Sequence, residues 1–395
     1  MKILQINKFL YPKGGAETYL FSLSKLLTNA GHEIIYFSQK NPKNIPCKQE
    51  KYFINNLELD KFSFASLFRI GRIFWSFKAA KNLKKLINDE KPDLVHLHNI
   101  YHQLSPSLIA AAKTAKLPIV MTVHDFKLIS YNYTLRADNY RGRHKESLIA
   151  DLILRLEFAF HKAIKIYNQV DLFIAPSQFV KNKLIEHGYA ENKIIVIPHF
   201  IEMNNSSVQS VSGDYILSFG RLDETKGFED LIRAIAYLGK GAPKVKIAGS
   251  GPEEVKLKKL IQELNLTEKI ELLGNKNKIE LNNLITKAKF VCFPTRVHET
   301  FGLAVLESLA YGKPVIASRS GALLELINEE ENGLLFDAGD INQLAETITK
   351  LNNNPYLINK LSQGAFKSAN EERYSPQRHL QSIINAYLSI KNVKQ

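Results

Sequence analysis

Apolar positions along the chain fall into short unbroken runs, separated by longer stretches with helical spacing. The run Lys2 to Ile6 predicts a strand. The stretch Ala16 to Asn29 predicts a helix with Tyr19, Leu20, Leu23, Leu26 and Leu27 on one face. Further strands are predicted at Glu33 to Ser38, Asp93 to Leu97, Pro118 to Val123, Asp171 to Ala175 and Lys193 to Ile197, with helical stretches between most of them. Strands that are apolar at consecutive positions are covered on both faces. The alternation therefore predicts a parallel sheet with helices on either side.

The pattern then restarts. Residues Pro198 to Gly213 are polar, with Asn204-Asn205-Ser206-Ser207 inside them, and read as a linker. A second strand-helix series opens at Tyr215 to Phe219 and continues with strands at Val245 to Ala248, Ile270 to Leu273, Phe290 to Phe293 and Pro314 to Ala317. The expected architecture is α/β, with two Rossmann-like doubly wound domains facing a central cleft. The expected boundaries are residues 1–200, a linker at 201–213, a second domain at 214–372 and a C-terminal helical segment at 373–395. The spacing of Pro376 to Ile390 suits packing on either domain, and the N-terminal one is expected to receive it. Parallel sheets of this kind bind ligands beyond the carboxyl ends of their strands.

Composition narrows the function classes. The chain has 395 residues, 45% apolar and 23% charged, which fits a folded multidomain protein. Its two cysteines, Cys47 and Cys292, rule out a disulfide scaffold and fit a reducing compartment. No apolar run approaches the roughly 20 residues of a membrane span, and Gln5, Asn7 and Lys8 interrupt any leader-like segment. A cytoplasmic location is expected. The formal charge of +14 suits an anionic partner: nucleic acid, a membrane surface or a phosphorylated small molecule. Neither basic low-complexity tails nor zinc-ligand spacing nor an RNA-recognition motif is present, which argues against nucleic acid.

Three segments carry candidate chemistry. Tyr11-Pro12-Lys13-Gly14-Gly15-Ala16-Glu17 joins the first strand to the first helix; paired glycines admit a close ligand, and a helix start attracts anions. An ordinary strand-helix turn accounts for it equally well. Gly220-Arg221-Leu222-Asp223-Glu224-Thr225-Lys226-Gly227 follows the first strand of the second series. Arg221 and Lys226 can converge there on a diphosphate, a planar fork beside a mobile point charge; the plain alternative is two solvated cations. In the third segment, Phe293 to Glu307, a buried strand ends and a helix is predicted from near Gly302 to Tyr311. The N–H groups of Phe301, Gly302 and Leu303 are placed to meet a phosphate. Glu299 precedes the helix and Glu307 lies roughly 7 Å along it, so one carboxylate can hold a sugar hydroxyl and the other a ribose hydroxyl. Two surface glutamates would show the same spacing.

The spacing Glu299 to Glu307 resembles the E-x7-E motif of retaining glycosyltransferases. Together with Gly14-Gly15-Ala16-Glu17, Gly220-Arg221, Lys226-Gly227, Ala248-Gly249-Ser250-Gly251-Pro252 and Gly312-Lys313-Pro314-Val315-Ile316-Ala317-Ser318, it makes nearly the whole chain similar to glycosyltransferase family 4, of the GT-B fold. The resemblance implies that Gly14 and Gly15 present backbone to a donor diphosphate. It implies that Arg221 and Lys226 neutralise the leaving group and that Glu299 contacts the transferred sugar. Thr300, Phe301, Gly302 and Leu303 would line the phosphate, and Glu307 would hold the ribose. His124, in Thr122-Val123-His124-Asp125, matches the family's histidine near the reacting centre. Family members transfer with retention of configuration, through front-face departure and attack in which the leaving phosphate takes the acceptor proton. No Asp-x-Asp motif is present, so neither metal nor other cofactor is expected, and the donor is expected to be a nucleotide-sugar, UDP favoured over GDP. The base would be read by loops such as Gly274 to Lys276. Pro198-His199-Phe200 departs from the Pro-Asn-Gly common in the family, and Ser130-Tyr131 from Cys-Pro. The alternatives are a nucleotide-sugar 2-epimerase, a glycogen-type synthase, or a non-catalytic membrane-surface binder that keeps the fold.

The stretch Lys61 to Lys91 carries eight basic residues against two acidic ones, interleaved with aromatics such as Phe62, Phe68 and Trp75. Arg136, Arg141, Arg143, His144 and Lys145 form a second basic stretch. These suit an anionic inner-leaflet surface or the phosphates of a lipid-linked acceptor. A core-packed helix with a solvated basic face is the competing reading. A lipid-linked or glycan acceptor in bacterial surface polysaccharide synthesis, such as lipopolysaccharide, is the expectation that the resemblance carries.

Overall fold

The structure is a computed structural model, and it describes residues 1–56, 71–137, 148–202 and 213–392. The chain divides into two compact units. The first is built from Met1–Thr134, Glu146–His199 and Pro376–Gln395, the second from Leu135–Lys145 and Phe200–Ser375.

In the first unit, six strands form one parallel sheet: β1 (Lys2–Ile6), β2 (Glu33–Phe37), β3 (Leu94–Leu97), β4 (Ile119–Thr122), β5 (Leu172–Ala175) and β6 (Ile194–Val196), in the order β2-β1-β3-β4-β5-β6. The central β3 and β4 are buried along their whole length, as consecutive apolar residues require. β1 pairs Ile3 with Ile34 of β2 on one side and with Leu94 of β3 on the other, so the order reverses at β1. Loops leaving such a point splay apart and open a crevice at the carboxyl edge. Helix α1 (Gly15–Asn29) follows β1 and buries Tyr19, Leu20, Leu23 and Leu27.

Helix α2 (Phe77–Glu90) is capped by Ser76, whose hydroxyl accepts from Ala79 N. It buries Ala79, Leu83, Leu86 and Ile87 and exposes Lys78, Lys81, Lys84 and Lys85. Within the basic stretch this part is a packed helix with a solvated basic face, and the part from Lys61 to Ile70 lies outside the described residues. So do Arg141, Arg143, His144 and Lys145. The unit also contains α3 (Ser107–Thr114), α4 (Leu148–Ala163), α5 (Gln178–Glu186) and the last helix of the chain, Pro376–Asn392. That last helix is tied to the sheet by Lys391 Nζ to Asp93 Oδ1 at 2.7 Å and by Tyr387 Oη to His96 Nδ1, also at 2.7 Å.

The second unit repeats the plan with β7 (Tyr215–Phe219), β8 (Lys244–Ala248), β9 (Ile270–Leu272), β10 (Phe290–Phe293), β11 (Val315–Ser318) and β12 (Gly333–Phe336), in the order β12-β11-β10-β7-β8-β9. Its order reverses between β7 and β10. The helices are α6 (Phe228–Leu238), α7 (Glu254–Glu263), α8 (Lys278–Lys287), α9 (Leu303–Ala310), α10 (Leu323–Leu326), α11 (Ile341–Asn352) and α12 (Pro355–Ala369), which makes Pro376–Asn392 α13. One apolar layer joins α6, α7 and α11 to one face of the sheet through Leu231, Ile235, Leu257 and Ile348. The other face is covered through Leu306, Leu309, Ile285 and Tyr215.

Two segments differ from the sequence reading. Phe200 and Ile201 are buried, and Ile201 N donates to Tyr374 O at 3.2 Å, so both are packed into the second unit; residues 203–212 of the expected linker lie outside the described residues. β11 begins at Val315 because Pro314 has no N–H to give the ladder. Among the described residues, no helix is long and apolar enough to cross a membrane.

Candidate active site

In the second unit the segment after β7 makes a tight turn. Asp223 accepts from Thr225 N at 3.0 Å and caps the short turn Glu224–Lys226, and Gly227 then adopts φ 68° to start α6. A Cβ on Gly227 would lie 1.8 Å from Pro294 O, so the turn after β7 and the loop after β10 touch backbone to backbone. Two bonds from that loop reinforce the contact: Arg296 N donates to Thr225 O at 2.8 Å, and Thr295 Oγ1 to the same oxygen at 3.1 Å.

The loop from Pro294 to Gly302 is held on its other side by the segment after β11. Ser318 Oγ donates to Thr295 O at 2.7 Å, Ser320 Oγ to Val297 O at 2.6 Å, and Ala322 N to Glu299 O at 3.0 Å. Gly321, at φ 57°, admits this approach, since a Cβ there would sit 2.6 Å from Glu299 O. Residues Leu135 to Ala137 add an antiparallel bridge, with His298 N donating to Leu135 O at 2.7 Å and Ala137 N to Arg296 O at 3.2 Å. A segment far upstream in sequence thus stiffens the loop that carries Glu299.

This scaffold brings Lys226 and Glu299 together. Lys226 Nζ lies 2.6 Å from Glu299 Oε1, and the side chains remain 36% and 22% exposed. Partial burial pulls the Lys226 ammonium down, but the Glu299 charge and hydrogen bond, with Asp223, outweigh it and hold the pKa above its ordinary value. The Arg221 charge opposes this, as expected of a neighbouring cation. Arg221 itself is mostly exposed, its Nε 3.7 Å from Asp223 Oδ2. The strand end thus presents two cations and a carboxylate together.

The helix start follows directly. Gly302 caps α9 at φ 94° with no side-chain cap, and Phe301 is buried with its ring 6.2 Å from that of Tyr374. The first N–H groups of α9 lack intrahelical acceptors, as in any α-helix. Glu307 lies in the second turn of α9. Burial pushes its carboxyl up, and the cation that opposes this is Lys278, at the start of α8.

Sequence reasoning missed the most buried charge pair beneath this site. Arg296 Nε and Nη2 reach Asp230 Oδ2 and Oδ1 at 2.8 and 2.5 Å, with the residues 8% and 4% exposed. The pair ties the loop of Glu299 to the helix that follows Lys226. The available signal was an arginine three residues before Glu299 in an otherwise uncharged loop.

In the first unit, His124 follows β4 and is half-buried. Its Nε2 is 2.8 Å from His98 Nδ1, and His98 Nε2 is 2.7 Å from Gln5 Oε1. Gln5, His98 and His124 come from or just after adjacent strands. An amide oxygen only accepts, so His98 carries its proton on Nε2 and takes one from His124 Nε2. Burial lowers the His124 pKa to about 3 and that of His98 far below its ordinary value, so both are neutral near pH 7. A second chain runs beside them. His379 Nδ1 donates to Pro198 O at 2.7 Å, its Nε2 is 3.0 Å from Tyr19 Oη, and His96 bridges Thr122 Oγ1 and Tyr387 Oη. Tyr19, His96, His98, His199 and His379 were not read as site residues; they lie far apart in sequence, and only the β3, β4 and α13 topology collects them.

The turn after β1 is polar and organised. Asn7 Nδ2 donates to Glu17 Oε1 at 3.0 Å and Asn99 N to Asn7 Oδ1 at 3.0 Å. Gly14 and Gly15 stand at the start of α1. A Cβ on Gly15 would meet no atom within 4 Å, so the fold itself does not require glycine there. Asp125, next to His124, has its carboxyl pushed up to about 6 by burial, against the pull of Lys8.

Comparison with known proteins agrees with this architecture. The profile described as Glycosyl transferases group 1 matches residues 202–368, and that described as Glycosyltransferase Family 4 matches residues 13–205. The chain is 27% identical over 366 residues to an uncharacterized glycosyltransferase of Methanocaldococcus jannaschii, covering 92% of each chain. It is 26% identical over 261 residues to the lipopolysaccharide core biosynthesis glycosyltransferase LpsE of Rhizobium meliloti, covering 64% of this chain and 71% of that one. Among solved structures, HepE of Anabaena in complex with UDP and glucose superposes with a TM-score of 0.73 at 20% identity, over 98% of this chain and all of that one. With the two profiles accounting between them for residues 13–368, the chain belongs to glycosyltransferase family 4 and is a glycosyltransferase of the GT-B fold.

Proposed function

We propose that the protein moves a sugar, with retention of configuration and without a metal, from a UDP-sugar to a lipid-linked or polysaccharide acceptor in bacterial surface polysaccharide synthesis. The observation that carries the reading is the Lys226–Glu299 pair, part-exposed at a strand end with Arg221 beside it. A cation held above its ordinary pKa stays charged throughout the working range and suits a leaving diphosphate.

Arg221 and Lys226 supply the positive charge that a divalent ion supplies in other transferases. The amides at Phe301, Gly302 and Leu303 take the phosphate oxygens, with Thr300 beside them, and Glu307 takes the ribose hydroxyls. When UDP-sugar binds, Lys226 turns to the diphosphate and releases Glu299 to the transferred sugar. The glycosidic bond to the diphosphate breaks, the acceptor hydroxyl attacks the same face, and its proton passes to the leaving phosphate. Gly14, Gly15 and His124 act on the donor by the family resemblance. Open space at Gly15, where the fold would tolerate a side chain, supports a ligand approaching there. The UDP preference draws on HepE, and the polysaccharide role on LpsE.

The test is nucleotide release from UDP- and GDP-sugars, with and without EDTA, in the presence of a membrane lipid extract. Release of UDP that persists in EDTA and is lost in Glu299→Ala is expected. Release that EDTA abolishes would overturn the metal-free reading, and release from GDP-sugars alone would overturn the UDP assignment.

A further inference from the structure

Helix α4 is built inside out. Its outward side carries Ile149, Leu152, Leu156 and Phe160, at helical spacings of three and four, and Ile164 continues the line just past its end. These side chains are large, and the three toward its start are each more than half exposed, at 55%, 56% and 53%. Among the described residues of the helix, the two that are fully buried, Glu157 and His161, are polar, with Ile153, Leu154 and Phe158 only partly covered. Glu157 is fully buried and meets buried Lys127 Nζ at 2.8 Å and His102 Nδ1 at 3.3 Å, and buried His161 donates through Nε2 to Phe74 O at 2.8 Å. The buried Lys127–Glu157 pair fixes the rotation of the helix. Rolling the apolar side inward would strip a buried ammonium of its carboxylate. The exposed stripe is therefore a built feature of the fold.

The surroundings of the stripe are basic. Arg155 is exposed, paired to Asp151 within the helix at 2.6 Å and donating through Nη2 to Tyr131 Oη at 2.8 Å; Lys162 and Lys165 are exposed beyond it. The Phe74 ring lies 5.9 Å from that of Phe160, which joins this surface to the start of α2, where Phe77 is 79% exposed and Lys78 and Lys81 face solvent. An apolar stripe rimmed by cations matches an anionic lipid surface: methylenes enter the acyl boundary while ammonium groups stay among the phosphates.

We propose that the outward face of α4, together with Phe77, seats in the headgroup layer of an anionic phospholipid bilayer. The proposal rests on the lipid-linked acceptor reading for its purpose, since docking would hold the enzyme where such an acceptor lies. It assigns the contact to α4 and the start of α2.

The experiment uses the full chain and vesicles of equal parts phosphatidylglycerol and phosphatidylethanolamine, with pure phosphatidylcholine vesicles as control. Trp75, the only tryptophan of the chain, sits between Phe74 and Phe77 and reports locally. The wild type is expected to co-sediment with the anionic vesicles and to shift its emission to shorter wavelength. The double variant Leu152→Ser/Leu156→Ser should lose partitioning by at least about tenfold, while keeping its circular dichroism spectrum and its UDP affinity. Wild type that stays in the supernatant at low salt overturns the proposal, as does a variant that binds equally well. A wild-type dimer that the double variant makes monomeric would reassign the face to a second copy and also overturns it. Vesicle binding by a wild type that takes no UDP would strike the donor reading and leave this one standing.

Discussion

The Arg296–Asp230 pair offers a quantitative test of how the loop of Glu299 is held. Asp230→Asn keeps the shape and one acceptor but removes the charge opposite a guanidinium that is 8% exposed. Two bonds of 2.8 and 2.5 Å become at best one neutral contact. Removing one partner of a buried pair costs about 3–5 kcal/mol. Glu229 Oε2, 4.0 Å from the guanidinium, still offers a counter-charge and places the cost near the lower end. For a unit of this size that is a fall in melting temperature of roughly 6–12 °C. The assay is scanning calorimetry of the full chain, followed through the transition that carries the second unit. Activity should fall too, because the pair joins the loop of Glu299 to the helix after Lys226. Replacing both residues, as Asp230→Leu with Arg296→Met, should recover most of the stability, since an apolar pair strands no charge. A single variant within about 1 kcal/mol of wild type, or a double variant as unstable as the single, would refute the reasoning.

Other consequences follow from the same geometry. Lys226→Ala should lower kcat by about a hundredfold or more with little effect on melting, because the side chain is part-exposed; unchanged turnover in steady-state kinetics would remove Lys226 from the leaving-group site. Gly15→Val should fold normally yet lose activity, since space for the side chain exists in the free protein; full activity would mean that no ligand approaches Gly15. Acid should destabilise the first unit. His96 and His124 are lowered to about 3 and His379 to about 4, all by burial. Their unfolded forms protonate near 6.5 while the folded forms do not. Stability is therefore full above about pH 6.5 and falls as pH drops toward about 4, by up to about 1.4 kcal/mol per pH unit for each histidine. Asp125, raised to about 6, works in the opposite sense and offsets part of the loss. Urea unfolding at pH 7.5, 6 and 5 checks this, and a flat profile across those values contradicts it.

Much of the fold was legible because buried parallel strands need unbroken apolar runs. Lys2 to Ile6 and Tyr215 to Phe219 match their strands residue for residue. β12 was not read, because Gly333–Phe336 is short and opens on a glycine. The Glu299 loop was legible as a motif, but not what holds it: Ser318, Ser320 and Thr225 act through backbone oxygens that carry no sequence signature. The histidine cluster is assembled by strand order and by α13, neither of which local spacing encodes. Helix α4 shows a further limit. Periodicity reveals that a helix has an apolar stripe, but not which side the protein covers. Here the buried Lys127–Glu157 pair decides it, and Lys127 lies thirty residues away from its partner.

The central claim is that the second unit grips a nucleoside diphosphate through Lys226 and Arg221 without a metal. The direct measurement is calorimetric titration of UDP and GDP into wild type and Lys226→Ala, in EDTA. The account predicts that UDP binds wild type in EDTA, more tightly than GDP, and that Lys226→Ala weakens it by at least about tenfold. Wild type that binds neither nucleotide, or UDP binding that Lys226→Ala leaves unchanged, would contradict it.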